Sequence, residues 1–275
     1  MKSVLLSKIR RFWDNPYLHV WIKFLDSMTP PTPVVADVGG GEGGLANYLA
    51  PKTKWVFILD KERTSKEGAD NAPYAGSLTR AYKGRLYQNI TPIKGDATDM
   101  PFADSSLDMI VSSELIEHLN PKGKELFFKE CNRTLKKKGV LIISTPNADY
   151  IEKHRFWFPL IARTIIPKQL IHKLPGSLCG AWLAHSVEQW EANVGHYHRG
   201  CRINSIISIS EKEGLEELKH RFLHTSLTSF WLQLMFTFPL FYMLLSPLVR
   251  FFYFIESNIN KKDGVSFMIA FQKNR

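Results

Sequence analysis

The stretch Val34-Val35-Ala36-Asp37-Val38-Gly39-Gly40-Gly41-Glu42-Gly43-Gly44 decides how the rest of the chain is read. Val34–Val38 is a short apolar run bounded by Pro33 and a glycine cluster, the pattern of a strand buried on both faces. The glycines let the backbone turn tightly and approach a ligand where a Cβ would collide. A helix beginning around Leu45–Leu49 would then offer its unpaired N–H groups to that ligand.

Beyond this stretch, Trp55–Leu59 reads as a second strand ending in Asp60, and Ile90–Lys94 as a third followed by Gly95-Asp96. Leu107–Ser112 reads as a fourth and Val140–Ser144 as a fifth, with a helix over Gly123–Lys138 between them. Strands alternating with helices imply right-handed crossovers and a mostly parallel sheet covered on both faces, a doubly wound α/β layout. After Asn147 the rhythm breaks. Residues 148–200, with Trp157, Pro159, Pro167, Pro175, Trp182 and Trp190, read as an insertion or lid. Pattern returns with a helix near Ile203–Glu213, a strand near Leu215–Phe222 and a last strand near Val265–Phe271.

Gly39, Gly41 and Gly44 also satisfy G-x-G-x-x-G, and Asp60 lies where a ribose-binding acid belongs, so a nicotinamide-dependent dehydrogenase stays open at this point. Three acids weigh against it. Asp37 stands two residues before the first glycine, where a dinucleotide-binding strand keeps an apolar residue. Asp60 can accept both hydroxyls of a ribose, and Asp96 closes the third strand beside the place expected for an adenine. Carboxylates at three neighbouring strand ends suit a ligand with a cationic amino-acid end, a ribose and an adenine amino group. They suit a pyrophosphate poorly.

These segments resemble the class I S-adenosylmethionine-dependent methyltransferase superfamily. VVADVGGGEGG is similar to its first motif, WVFILD to its acidic second, and GDATDMPFADSSLDMIVSSELIEHL to its third and fourth. The last is especially similar to the branch that holds the ubiquinone and menaquinone biosynthesis methyltransferases. LKKKGVLIISTPN continues the likeness, which is close over residues 33–147 and resumes weakly at GHYHRGCRINSIISISEKEGL. The resemblance implies a seven-stranded sheet in the order 3-2-1-4-5-7-6 with the last strand antiparallel and helical insertions. It implies S-adenosyl-L-methionine as cofactor, with Asp37, Gly39, Gly40, Gly41 and Gly43 at the methionine end, Asp60 on the ribose, and Asp96 and Ala97 on the adenine. Glu114, Glu117 and His118 would stand at the edge where acceptor meets cofactor, with Glu114 on the cofactor side. Their spacing also resembles the magnesium site of the ubiquinone O-methyltransferases, but a Glu-His pair recurs in branches without metal, and no metal is assigned. His118 is a candidate base or substrate-positioning group, as are His196 and Tyr197 in Gly195-His196-Tyr197-His198-Arg199.

Domain organisation follows: residues 1–30 as an amphipathic helical segment, 31–147 as the cofactor-binding core, 148–202 as a lid. Residues 203–275 complete the core, interrupted by a hydrophobic helical insertion over 223–258. Cys131, Cys179 and Cys201 are odd in number and far apart, which speaks against a disulfide framework or a zinc site. The net charge of +10 is concentrated in residues 120–175, where twelve Lys/Arg face four acids. No nucleic-acid module accompanies it. The start, MKSVLLSKIRRFWDN, is too short in its apolar run for a signal peptide and reads as a helix that either packs on the core or lies at an interface with its basic residues outward. Phe222–Val249 carries no Asp, Glu, Lys or Arg over 28 residues. Pro239 and Pro247 break it, and in the family fold the strands on either side lie together, so it reads as surface-lying or re-entrant rather than spanning. Its alternative roles are a cap over the substrate pocket and a homodimer contact. The expectation is a cytoplasmic methyltransferase, peripheral at an anionic membrane, acting on a small lipophilic or lipid-linked molecule. A non-catalytic membrane-associated protein of the same fold is its alternative.

Overall fold

The computed structural model describes residues 16–41, 43–61, 85–154, 201–223, 251, 255 and 262–274. The described elements are α1 (Pro16–Met28), β1 (Val34–Val38), α2 (Gly44–Leu49), β2 (Trp55–Asp60), β3 (Ile90–Lys94), β4 (Leu107–Ser113), α3 (Pro121–Thr134), β5 (Leu135–Pro146), α4 (Ala148–His154), α5 (Ile203–Lys212), β6 (Leu215–Phe222) and β7 (Ser266–Lys273). The strands form a seven-stranded sheet in the order β3-β2-β1-β4-β5-β7-β6, the expected one. β1 pairs parallel with β2 and β4, β2 with β3, and β4 with β5. β7 runs antiparallel to its neighbours. Leu223 N just past β6 donates to Ser266 O at the start of β7 (2.8 Å), and Asn147 N just past β5 donates to Val265 O (2.8 Å). At the other end, Gln272 Nε2 reaches Lys138 O (3.2 Å).

The central strands are apolar because both of their faces are covered: Val35, Ala36, Val38, Met109, Ile110, Val111, Leu141, Ile142 and Ile143 are all fully buried. Parallel pairing brings the ends of β1, β2 and β3 together, with Asp37 opposite Ile58 and Asp60 opposite Lys94. Side chains that leave these ends therefore collect along one edge of the sheet.

By its internal packing the chain falls into two compact units. One comprises Leu25–Thr145, Asn204–His220 and Ile269–Arg275, and the other Met1–Phe24, Pro146–Ile203 and Arg221–Met268. In the second unit Asn147 is a junction. Its side-chain amide donates to Gly264 O (3.0 Å), while Cys201 N donates to Pro146 O (3.0 Å) and Ala148 N to Cys201 O (3.1 Å). Leu223 and Gly264 lie side by side, so close that a Cβ on Gly264 would collide with the Leu223 carbonyl. The chain between them thus leaves and re-enters at one place, as the strand order requires. Most of the expected lid (residues 155–200) and of the apolar insertion (224–250, 252–254 and 256–261) lies outside the described residues. Among the described residues no helix is long and apolar enough to cross a membrane.

The helix expected over Gly123–Lys138 begins and ends earlier. Asn120 Oδ1 accepts the Gly123 N–H (2.7 Å) and Pro121 opens the first turn, so the start is fixed at Pro121. The helix stops at Thr134, and Leu135–Lys138 belong to β5 instead. Leu135 is fully buried opposite Leu107, and Lys138 takes a left-handed conformation (φ 63°) where the register shifts between Leu107 and Met109. The lysines favour helix by propensity, but burial of Leu135 in the sheet outweighs it.

Arg133, in the last turn of α3, organises the chain between β3 and β4. Its guanidinium donates to Met100 O (2.9 Å), Phe102 O (2.7 Å), Asp104 (2.7 Å) and both oxygens of Glu130 (2.8 and 2.7 Å). Met100 N in turn donates to Glu130 (2.8 Å). An Arg133→Ala variant should lose about 2 kcal/mol, the scale for removing charge-assisted bonds that leave carbonyls unpaired. Thermal unfolding should fall by roughly 4–8 °C. An unchanged midpoint would show that this loop is held by other contacts.

Candidate functional site

Asp37 is the penultimate residue of β1, just before the glycine turn, and is 1% exposed. Its carboxylate accepts the Ala46 backbone N–H from the first turn of α2, while Oδ2 has no partner. Burial, and then the nearby charge of Asp60, push its pKa up from 3.8 to about 7, against the pull of the Ala46 N–H. The turn is shaped around it. A Cβ on Gly40 would lie 2.7 Å from the Asp37 carboxyl, and Gly39 has φ 75°, a conformation open to glycine at little cost. Gly39 N donates to Leu59 O (2.7 Å) and Gly43 N to Gly40 O (2.8 Å), closing the loop. Among the described residues, nothing lies within 4 Å of where a Cβ on Gly41 would stand.

Asp60 ends β2, and its Oδ2 accepts the Gly41 N–H (2.7 Å), which ties the second acid to the glycine turn. Asp96 follows β3. Its Oδ1 accepts both the backbone N–H (2.9 Å) and the hydroxyl (2.8 Å) of Thr98, and its Oδ2 pairs with Lys61 Nζ (2.6 Å). Partial burial pulls its pKa up, but Lys61 and Thr98 together hold it below the usual carboxylate value. Ala97 is buried beside it. The Thr98 contacts follow from the local Asp-x-Thr pattern, which favours such side-chain turns. Nothing in the sequence signals the Lys61 pair.

At the end of β4, Glu114 adopts φ 54°, uncommon for a residue with a side chain, and its N–H donates to Ser144 O (2.9 Å). Much of the residue is open to solvent while its carboxyl lies deep among protein atoms, and burial together with Glu117 pushes its pKa well up. Glu117, on the 3₁₀ turn Ile116–His118, is fully buried. One oxygen accepts the Thr145 hydroxyl (3.0 Å), and the carboxyl also accepts a hydrogen bond from that of Glu114 in its protonated form. Burial raises its pKa, against the lowering effect of His118 and Thr145. Ser113 and Ser144 share a hydroxyl bond beside the pair (2.8 Å). His118 follows Glu117 on the same turn, half-buried. Among the described residues, no three His, Cys, Asp or Glu side chains are grouped so that they could hold a metal ion.

The structure thus brings Asp37, Gly39, Gly40, Gly41, Gly43 and Asp60 into one cradle, with Asp96 and Ala97 at the next strand end and Glu114 and His118 beyond β4. His196 and Tyr197 lie outside the described residues. The hydroxyls of Ser113, Ser144 and Thr145 were not anticipated as part of the site, because nothing in their order in the chain marks them. A buried, partnerless carboxylate oxygen beside a turn that leaves open space fits a cationic ligand end. It opposes a pyrophosphate, which removes the physical basis for a dinucleotide in this turn.

Comparison with known proteins agrees. Residues 36–143 match the family of the methyltransferase domain. A Mycobacterium tuberculosis protein named "probable S-adenosylmethionine-dependent methyltransferase" is 28% identical over 139 residues, 50% of this chain and 44% of that one. The chloroplastic tocopherol O-methyltransferase of Arabidopsis thaliana is 34% identical over 113 residues, 40% of this chain and 29% of that one. The N-methyltransferase NodS of Bradyrhizobium japonicum, solved with S-adenosyl-L-homocysteine, has the same fold at 14% identity (TM-score 0.53, covering 96% of this chain and 91% of that one). Over residues 36–143 the chain thus matches the methyltransferase domain, and its sheet has the fold of solved methyltransferases. It spans less than half the length of the mycobacterial relative.

The Asp37 carboxyl gives this site a pH dependence with a definite sign. Its folded value lies above its unfolded one, so it detracts from stability as pH rises from about 4 to about 7, and no further above that. A cationic ligand end favours the ionised form, so S-adenosylhomocysteine should bind roughly tenfold more weakly at pH 6 than at pH 8. Calorimetry across that range should show most of this slope gone in Asp37→Asn. A flat profile in the unaltered protein would mean that Asp37 does not meet the ligand's charge.

Proposed function

We propose that the chain transfers the methyl group of S-adenosylmethionine to a small lipophilic or lipid-linked acceptor at the surface of an anionic membrane. The observation that carries the cofactor part is the buried, partnerless Oδ2 of Asp37 beside an open glycine turn. Asp37 with Gly39, Gly40, Gly41 and Gly43 holds the methionine end, Asp60 takes the ribose hydroxyls, and Asp96 with Ala97 takes the adenine. Glu114 bounds the cofactor on the acceptor side. When bound, the cofactor supplies an already activated methyl group, so the protein's main task is to align the acceptor. His118 positions the acceptor or takes its proton, and His196 and Tyr197 contact it from the 148–202 segment.

The membrane part rests on the uncharged Phe222–Val249, the basic start of the chain and the excess of Lys/Arg in residues 120–175. Apolar insertion and attraction to anionic lipid are separate contributions that together anchor a protein, each basic residue near the surface adding roughly 1 kcal/mol. Lys137 and Lys138 are exposed at the start of β5, the sheet edge opposite the site, so they are poor candidates for the face that meets lipid.

Asp60→Ala should weaken S-adenosylhomocysteine binding by about 30-fold, the scale of losing roughly 2 kcal/mol of hydrogen bonding to a charged acceptor. Binding of a nicotinamide dinucleotide with no response to S-adenosylhomocysteine would overturn the cofactor assignment. The intact protein should float with anionic liposomes, loosen without release in high salt, and be released by deletion of residues 227–252 with cofactor binding retained. Indifference to such liposomes would remove the membrane from the proposal and leave the apolar segment as a pocket cap or a contact between copies.

A further inference from the structure

Lys61 follows Asp60 at the end of β2, and the parallel register that sets Asp60 opposite Lys94 brings it alongside Gly95 and Asp96. Gly95 N donates to Asp60 O (3.1 Å), which ties the two strand ends together at this point. From there the Lys61 ammonium reaches Asp96 Oδ2 (2.6 Å). The other oxygen, Oδ1, already accepts the Thr98 N–H (2.9 Å) and hydroxyl (2.8 Å), and two donors fill its lone pairs. Oδ2 is therefore the oxygen left to meet a further donor, and Lys61 holds it. The lysine side chain is 66% exposed and the aspartate side chain 36%, so the pair sits near the surface, where an ion pair is weak and easily parted.

We infer that Lys61 tunes the adenine end of the cofactor site: its ammonium occupies Asp96 while the site is empty, and the base has to displace it. The inference rests on the reading of Asp60 as the ribose acid and Asp96 as the adenine acid. A ligand that spans those two carboxyls needs the interval between them. The Lys61 side chain, rooted beside one and ending on the other, crosses that same interval. Adenine binding is then an exchange. The carboxylate gives up a charged donor for a neutral amino group, and the released ammonium regains its water. Such an exchange returns less than a fresh hydrogen bond, so the base adds little to affinity and Lys61 sets how little. The ribose and methionine ends, at Asp60 and Asp37, take no part in it.

Calorimetry with three compounds separates the ends of the ligand. They are S-adenosylhomocysteine, 5′-methylthioadenosine, which keeps the base without the amino-acid end, and S-ribosylhomocysteine, which lacks the base. Lys61→Met removes the ammonium and keeps an unbranched side chain. It should tighten the two adenine compounds about threefold, the scale of a partly exposed ion pair, and leave S-ribosylhomocysteine unchanged. In an Asp96→Asn background the gain should vanish, since the lysine then has no carboxylate to hold. 5′-Methylthioadenosine carries no charge, so salt acts on its binding mainly through the ion pair. Higher salt should strengthen that binding in the unaltered chain and not in Lys61→Met. Adenine compounds that bind Lys61→Met no more tightly than the unaltered chain overturn the inference and leave the cofactor reading standing. So does a gain that S-ribosylhomocysteine shares, or one that survives in Asp96→Asn and so comes from packing of the new side chain. Binding of none of the three by the unaltered chain overturns both.

Discussion

A carboxyl at the end of the central strand, closed off from water and short of one partner, is a destabilising element around which this edge of the protein is organised. Leaving such a group unpaired costs on the order of 1–3 kcal/mol, a sizeable share of the net stability of a domain. It is tolerated because β1 is gripped on both sides by parallel neighbours and because the residues around it cannot move in to fill the space. Gly40 has no side chain to press on the carboxyl, and the Gly41 N–H is already committed to Asp60. The protein therefore maintains an unmet demand for positive charge at one defined point, beside the glycine turn.

The ends of β4 and β5 repeat the theme with different parts. Glu114 is held in a left-handed conformation by Ser144, and its carboxyl is set against that of the buried Glu117. Backbone strain and closely set buried carboxyls both cost stability, and they persist only where the surrounding structure fixes them. Here the fixing is done by β5, which supplies Ser144 and Thr145 from a strand that is buried from Gly139 onward. The strain and the buried carboxyls thus gather at one edge, while the opposite edge of the sheet is held by conventional contacts such as those of Lys273 with the Asn132 and Leu135 carbonyls.

Much of the core was legible in the chain because its signals are local. Val34–Val38 with its glycines, the acid at the end of Trp55–Asp60 and the Gly95-Asp96 turn each announce themselves within a few residues, and the strand order followed from the resemblance. The boundary between α3 and β5 was misread because the Lys136–Lys138 run has helical propensity, whereas its place is decided by Leu135 meeting Leu107, residues far apart in sequence. The same reason hid Lys61 opposite Asp96 and the Ser144–Thr145 pair behind Glu114 and Glu117. Side chains that meet only across strands leave no pattern along the chain. Asp37 stood out by position, but its missing partner is a property of packing alone.

The two margins of the sheet are unlike. At one margin β3 carries Pro92, which offers no N–H to an incoming strand. At the other, β6 is a strand of eight residues studded with charge around a lone leucine. Exposed margins are where folded proteins polymerise when they go wrong, since an unpaired strand is a template for the next. Among the described residues the proline makes the β3 margin the poorer template of the two.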